Sequence, residues 1–167
     1  MGLIITSRGS DSPWIDSVWT SSSTRVSEMT SVASETWGLV FCEQRGRVQV
    51  TVTGPETRTA TAPVPEEAVF VGVQFALGTS LRMLPGTALV DSGIDLPDAT
   101  RRSFRLDGRR WPVPTADDLE DLVDRLARRG VIERDPLVAE VLRGGRPTVT
   151  PRTVERRFRA ATGLRQG

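Results

Sequence analysis

The chain has 167 residues, and its 22 basic residues, all arginine, nearly balance 21 acidic ones for a formal net charge of +1. Hydrophobic residues make up 38%, enough at this length to bury one core with a small appended unit. Histidine and tyrosine are both missing, which excludes the Ser–His and Cys–His nucleophile pairs and leaves any metal site to carboxylates, alone or with Cys42.

Residues 1–6 are too short for a signal peptide, and no apolar run is long enough for a membrane span. A single cysteine forms no internal disulfide, so a cytoplasmic protein is expected. Residues 15–22 and 25–34 read as extended segments rich in Ser and Thr. Residues 37–43 form a strand, Gln44-Arg45-Gly46 a tight connection, and residues 47–53 a second strand whose Val48, Val50 and Val52 alternate inward. These two pair as a hairpin. Gly54-Pro55 ends the second strand, residues 56–62 give a third extended run, and residues 63–66 a turn. Residues 69–77 are nearly apolar on both faces, which predicts a strand across the middle of the fold.

Residues 101–108 alternate again, with Phe104 and Leu106 inward. A helix opens at 115–119, and its Leu119, Leu122, Val123 and Leu126 make an apolar stripe. Its acids come early, Arg125, Arg128 and Arg129 come late, and Gly130 follows, the order that capping and the helix dipole favour. The carboxylate pairs Glu66-Glu67 and Asp117-Asp118 are adjacent in sequence, so their side chains diverge on a helix or a strand. They are read as surface or capping groups. No catalytic residue, metal ligand or cofactor site is expected, and the protein is not read as an enzyme.

Asp135 and Pro136 open a short helix that Gly144-Gly145 breaks, and residues 146–149 make a turn. Thr150 caps the last helix, Pro151 suits its first position, and Gly163 can take the left-handed conformation that ends it. Val154, Phe158 and Ala161 fall on one stripe, while Arg152, Glu155, Arg156 and Arg159 project elsewhere. From residue 143 onward seven arginines (143, 146, 152, 156, 157, 159 and 165) meet one acid, Glu155, whereas the preceding residues carry 15 arginines against 20 acids. A cationic end on an acidic body suits phosphate neutralisation.

The run Thr-Pro-Arg-Thr-Val-x-Arg-x-Phe-x-x-x-x-Gly-Leu at 150–164, preceded by the helix from Asp135, resembles the first helix-turn-helix of AraC/XylS-type transcription regulators. The resemblance implies an α+β protein: an N-terminal antiparallel β-barrel-like, cupin-like sensor domain with a linker helix over residues 1–130, then a partial helix-turn-helix over 131–167. It implies double-stranded DNA as partner, a small-molecule effector, and a homodimer in which helix 115–129 is a candidate contact surface. Arg152, Glu155 and Arg156 would reach base edges, and Arg157 and Arg159 would be phosphate or surface contacts. Trp14, Trp19, Trp37 and Phe75 are the candidate lining of an apolar effector cavity, with core or interface packing as the plainer reading. Such regulators carry a second helix-turn-helix, which no residues here match, so a shortened regulator is expected. The alternative is a ligand-binding or dimerising module that no longer binds DNA.

Overall fold

Seven central residues, Arg47–Thr53, show how this chain makes strands: valines alternate with polar side chains, so one face seeks cover and the other tolerates water. The computed structural model describes residues 3–25, 27–31, 34–84 and 88–164. It is a mixed α+β fold built on antiparallel pairing. In chain order its strands are β1 (Leu3–Arg8), β2 (Ile15–Ser23), β3 (Ser27–Ser31), β4 (Gly38–Gln44), β5 (Arg47–Thr53), β6 (Ala60–Val64), β7 (Ala68–Phe75), β8 (Thr79–Leu81), β9 (Gly93–Asp95), β10 (Ser103–Leu106) and β11 (Arg109–Pro112). Helix α1 (Leu119–Arg128), strand β12 (Ile132–Arg134), α2 (Pro136–Leu142) and α3 (Pro151–Thr162) follow.

Six strands form the main sheet in the order β1-β2-β7-β4-β5-β9, all antiparallel. The β4–β5 hairpin turns through Arg45 and Gly46, both at positive φ (51° and 80°), the mirror-image turn that matches strand twist. Strand β7 lies between β2 and β4, so the apolar run at 69–77 does cross the middle of the sheet. Its cover is uneven, however: Val73 and Phe75 are buried, while Val69 is 54% exposed.

Val18, Val73, Leu39 and Val52 lie side by side on one face of the sheet and are buried there. The stripe Leu119, Leu122, Val123 and Leu126 of α1 joins that core, together with Phe104, Leu106 and Trp111 of the β10–β11 hairpin. Rings of Phe41 and Phe104 meet edge to face, 5.4 Å apart, where hairpin and sheet touch. Arg8 ties β1 to α1, donating from one guanidinium nitrogen to the Ala116 carbonyl (2.9 Å) and to Glu120 Oε2 (3.0 Å).

Several expectations are revised. The main sheet is open, with β1 and β9 as edges; β3 pairs with β6, β8 with β12, and β10 with β11 as separate ribbons, so the described strands do not close a barrel. The run placed at 56–62 becomes strand only at Ala60 and continues through Pro63 and Val64, and the turn falls at Glu66 and Glu67. Pro63 is tolerated because β6 has a partner on one side only. The extended segment at 25–34 yields β3, and residues 26, 32 and 33 of it lie outside the described residues. The helix placed at 115–129 begins at Leu119: Asp118 accepts hydrogen bonds from the backbone N–H and hydroxyl of Thr115, which spends residues 115–118 on a turn. Finally, Val131 and Ile132 belong to the main core and β12 pairs with β8, so residues 131–134 pack as part of the body.

Candidate nucleic-acid interface

Helix α3 has the ends its sequence calls for. The Thr150 hydroxyl accepts from the Thr153 N–H (3.3 Å), Pro151 occupies the first position, and Gly163 sits at φ 75° with its N–H on the Arg159 carbonyl (2.8 Å). Val154, Phe158, Ala161 and Thr162 are buried. At about 100° per residue, Arg152, Arg156 and Arg159 fall within a wedge of about 60° centred away from that buried stripe, and Glu155 lies about 40° outside it, towards Thr162. All three arginines are exposed, and none makes an ion pair or side-chain hydrogen bond among the described residues. Three unpaired guanidiniums on one ridge can each grip a phosphate or fork onto a guanine edge.

Arg157 differs from the other predicted contacts. Its Nε and Nη2 donate to the two oxygens of Asp135, at 2.8 and 2.6 Å. That hydrogen bonding holds the guanidinium pKa above its ordinary value. The same carboxylate caps α2, accepting from the N–H groups of Leu137 (2.9 Å) and Val138 (3.4 Å). Asp135 thus clamps the start of α2 to the middle of α3, and Arg157 is engaged as a structural tether. Behind the clamp, Val138, Phe158 and Ala161 form a second, small core.

The pair of helices is docked on the body. Trp37, fully buried, donates from Nε1 to the Ala161 carbonyl (2.9 Å), and the Asp135 N–H bonds the Gly78 carbonyl (3.1 Å). A cleft of about 480 Å³ lies along this junction, where Arg82, Arg134 and Asp135 face Arg157 and Ala160.

The four residues proposed for an effector cavity do not converge on one. Trp37 and Phe75 are fully buried in the main core, their backbones joined by a hydrogen bond (2.9 Å), and Trp14 packs against that core, half-buried. Trp19 lies on the opposite face of the sheet, where its indole covers Gly72: a Cβ there would come within 2.1 Å of the ring. The glycine exists for that close approach. An apolar pocket of about 420 Å³ opens elsewhere, between Leu84, Ile94, Leu96 and Leu106, with Arg105 and Asp98 at its rim. Arg105 and Leu106 belong to the alternating run at 101–108, whereas Leu84, Ile94 and Leu96 come from short loops and the three-residue edge strand β9, which carry no period.

Cys42 sits half-buried on β4, and burial pushes its thiol pKa up, which lowers its reactivity. No helix among the described residues is long and apolar enough to cross a membrane. No protein-family model, curated protein or solved structure matches the chain.

Proposed function

We propose that the chain is a DNA-binding transcription regulator of AraC/XylS type, in which α3 reads the major groove, α2 supports it, and the β domain takes the place of the cupin-like sensor. The observation that carries this reading is the ridge of Arg152, Arg156 and Arg159, unpaired and turned away from the buried side of a helix capped at both ends. Arg152 and Arg156 occupy the first half of the helix, where base edges lie within reach; Arg159 is placed for a phosphate. Glu155 can accept from a cytosine amino group. Effector binding would reach α3 through Trp37, which bonds Ala161, and through Asp135, which bonds Gly78 of the body and Arg157 of α3. The apolar pocket beside Ile94 and Leu106 is the better place for a small apolar effector. A cytoplasmic homodimer is part of this proposal, since pairing two weak heads raises their effective concentration on DNA.

The test begins with duplexes selected by the purified chain from a randomised library, followed by fluorescence anisotropy. Arg156→Glu is expected to weaken the selected duplex at least about tenfold, the loss of one bidentate contact of about 1–3 kcal/mol. Unchanged affinity would refute the assignment of α3.

One observation favours a second reading, a ligand-binding or dimerising module that does not bind DNA. The contacts of Trp37 with Ala161 and of Gly78 with Asp135 make the C-terminal helices a cover on the body, which would be their whole role. In that case no duplex is enriched by the selection.

A further inference from the structure

Away from α3, the β10–β11 hairpin and the last turn of α1 enclose an open cleft of about 740 Å³ lined by Arg109, Arg110, Trp111, Arg125, Arg128 and Arg129. All five arginines are exposed, and none forms an ion pair among the described residues; the one polar partner is the Ser103 hydroxyl, which accepts from Arg110 (3.1 Å). The acids of the neighbouring elements are placed elsewhere. Asp124 and Glu120 line a separate cleft with Arg8 beside the β1–β2 connection, and Asp107 is paired with Arg82 (2.7 Å). Asp121, one turn before Arg125, makes no ion pair with it.

Three of these arginines have an ordinary reason to be where they are, because cations suit a helix C-terminus. That reason does not extend to Arg109 and Arg110, which come from a different element and bring two more positive charges to the same concavity. Three carbonyls of the last helical turn are also turned to other use: those of Arg125, Leu126 and Ala127 accept from the N–H groups of Arg129, Val131 and Gly130.

We propose that this cleft is a binding site for a compact polyanion, a small molecule bearing two or more phosphate groups. Guanidiniums fork onto phosphate oxygens, and five of them converging from two sides match the charge of such a chain. Two features favour a compact ligand over a nucleic-acid duplex. The site is concave, within the size range of small-molecule pockets, whereas a duplex is a convex rod. The residues before 143 also carry five more acids than arginines, so beyond the cleft a long polyanion meets repulsion that a short one escapes within a Debye length of about 8 Å. Trp111 contributes wall more than surface: it is 5% exposed and its Nε1 donates to the Leu106 carbonyl (2.9 Å), which fixes the hairpin that carries Arg109 and Arg110. The site is independent of whether α3 reads DNA.

Isothermal titration of the full chain with inorganic tripolyphosphate, ATP and adenosine tests it. Tripolyphosphate and ATP are expected to bind below about 100 μM, an ordinary small-ligand affinity, and adenosine not to bind. The double variant Arg109→Ala/Arg128→Ala should weaken both at least about tenfold, and Arg109→Lys/Arg128→Lys should lose less. Both side chains are exposed, and circular dichroism checks that each variant is folded. Arg152→Ala/Arg156→Ala should leave binding unchanged. ATP binding more tightly than tripolyphosphate would identify a nucleotide as the natural class, and equal affinities an inorganic polyphosphate; either supports the site. Absence of binding, or binding that the double alanine variant leaves intact, overturns it. So does binding of a random duplex through Arg109 and Arg128 without any of tripolyphosphate.

Discussion

Among the described residues, twenty buried apolar side chains join the main sheet, the β10–β11 hairpin and α1 into one core, whereas α2 and α3 share three. The two regions are therefore stabilised differently. Burial scales with apolar area, so the body accumulates its stability from many side chains of which no one is decisive. The C-terminal pair has too few to stand alone, since short helices are marginal in water without packing. It depends on directed contacts with fixed partners: Asp135 with Arg157, Trp37 with Ala161, Gly78 with Asp135. Coupling between the regions can therefore reside in a few contacts. A region joined to the body by the Trp37 and Gly78 contacts can be released by a change at either, while a region held by a broad core cannot.

Emptying one core at a time separates the two regions most clearly. Phe104→Ala removes a fully buried ring that touches Phe41, and is expected to cost about 3–5 kcal/mol. It should lower the main thermal transition of the whole chain. Phe158→Ala removes a ring of equal size from the small core, yet hydrogen exchange should accelerate only in α2 and α3 and leave β2, β4 and β7 protected. Equal loss of protection in the sheet would mean that the chain unfolds as one unit and that the division is wrong.

A smaller effect is expected where the two regions meet. Trp37 is part of the main core by burial and of the α3 dock by its indole N–H. Trp37→Phe keeps most of the ring but leaves the Ala161 carbonyl without that donor, a loss of about 1–3 kcal/mol for an unsatisfied buried acceptor. Both the main transition and the exchange protection of α3 should fall. Protection of α3 that stayed at its native level would show that the dock does not rest on this bond.

Legibility in the sequence follows the same divide between periodic and contact-dependent features. Arg47–Thr53 and the stripe of α1 could be read because alternation and helical spacing report burial directly. The caps Asp135, Thr150 and Gly163 could be read because each residue type answers a local backbone need. Strands β8, β9 and β12 have three residues each, too few to show a period, and exist because a distant partner supplies their ladder. Strand β11 did carry a signal: Asp107-Gly108, both at positive φ, is a two-residue hairpin turn, and Arg109–Pro112 beyond it completes the pair. At the candidate interface the ridge of Arg152, Arg156 and Arg159 follows from helical spacing alone. The capture of Arg157 by Asp135, 22 residues away, does not, because no local pattern encodes an ion pair closed by tertiary docking. The placement of the four aromatic residues was hidden for the converse reason: composition offered large side chains, and only the tertiary structure sets Trp19 against Gly72 while Trp37 and Phe75 enter the main core.

The weakest of the three tests concerns how α1 is fixed to the sheet at its own end, and its sign follows from one carboxylate. Hydrogen bonding from Arg8 is the largest influence on Glu120 and holds its pKa below the ordinary carboxylate range. A folded-state pKa below the unfolded value means that the unfolded chain binds the proton more readily. The contribution of Glu120 is therefore fully present above the unfolded carboxyl value of about 4.3 and is lost as pH falls through the folded value. Arg8 is half-exposed, so solvent and salt screen the pair, and its effect on the melting midpoint should be smaller than that of Phe104→Ala or Trp37→Phe. Glu120→Gln keeps the shape of the side chain and removes the charge. Its melting midpoint should lie slightly below that of the parent chain near neutral pH, and the two should draw together as pH falls below about 4. A gap that persisted unchanged into acid would assign the effect to packing of α1, and the junction between β1 and α1 would then belong with the body core, held by area instead of by charge.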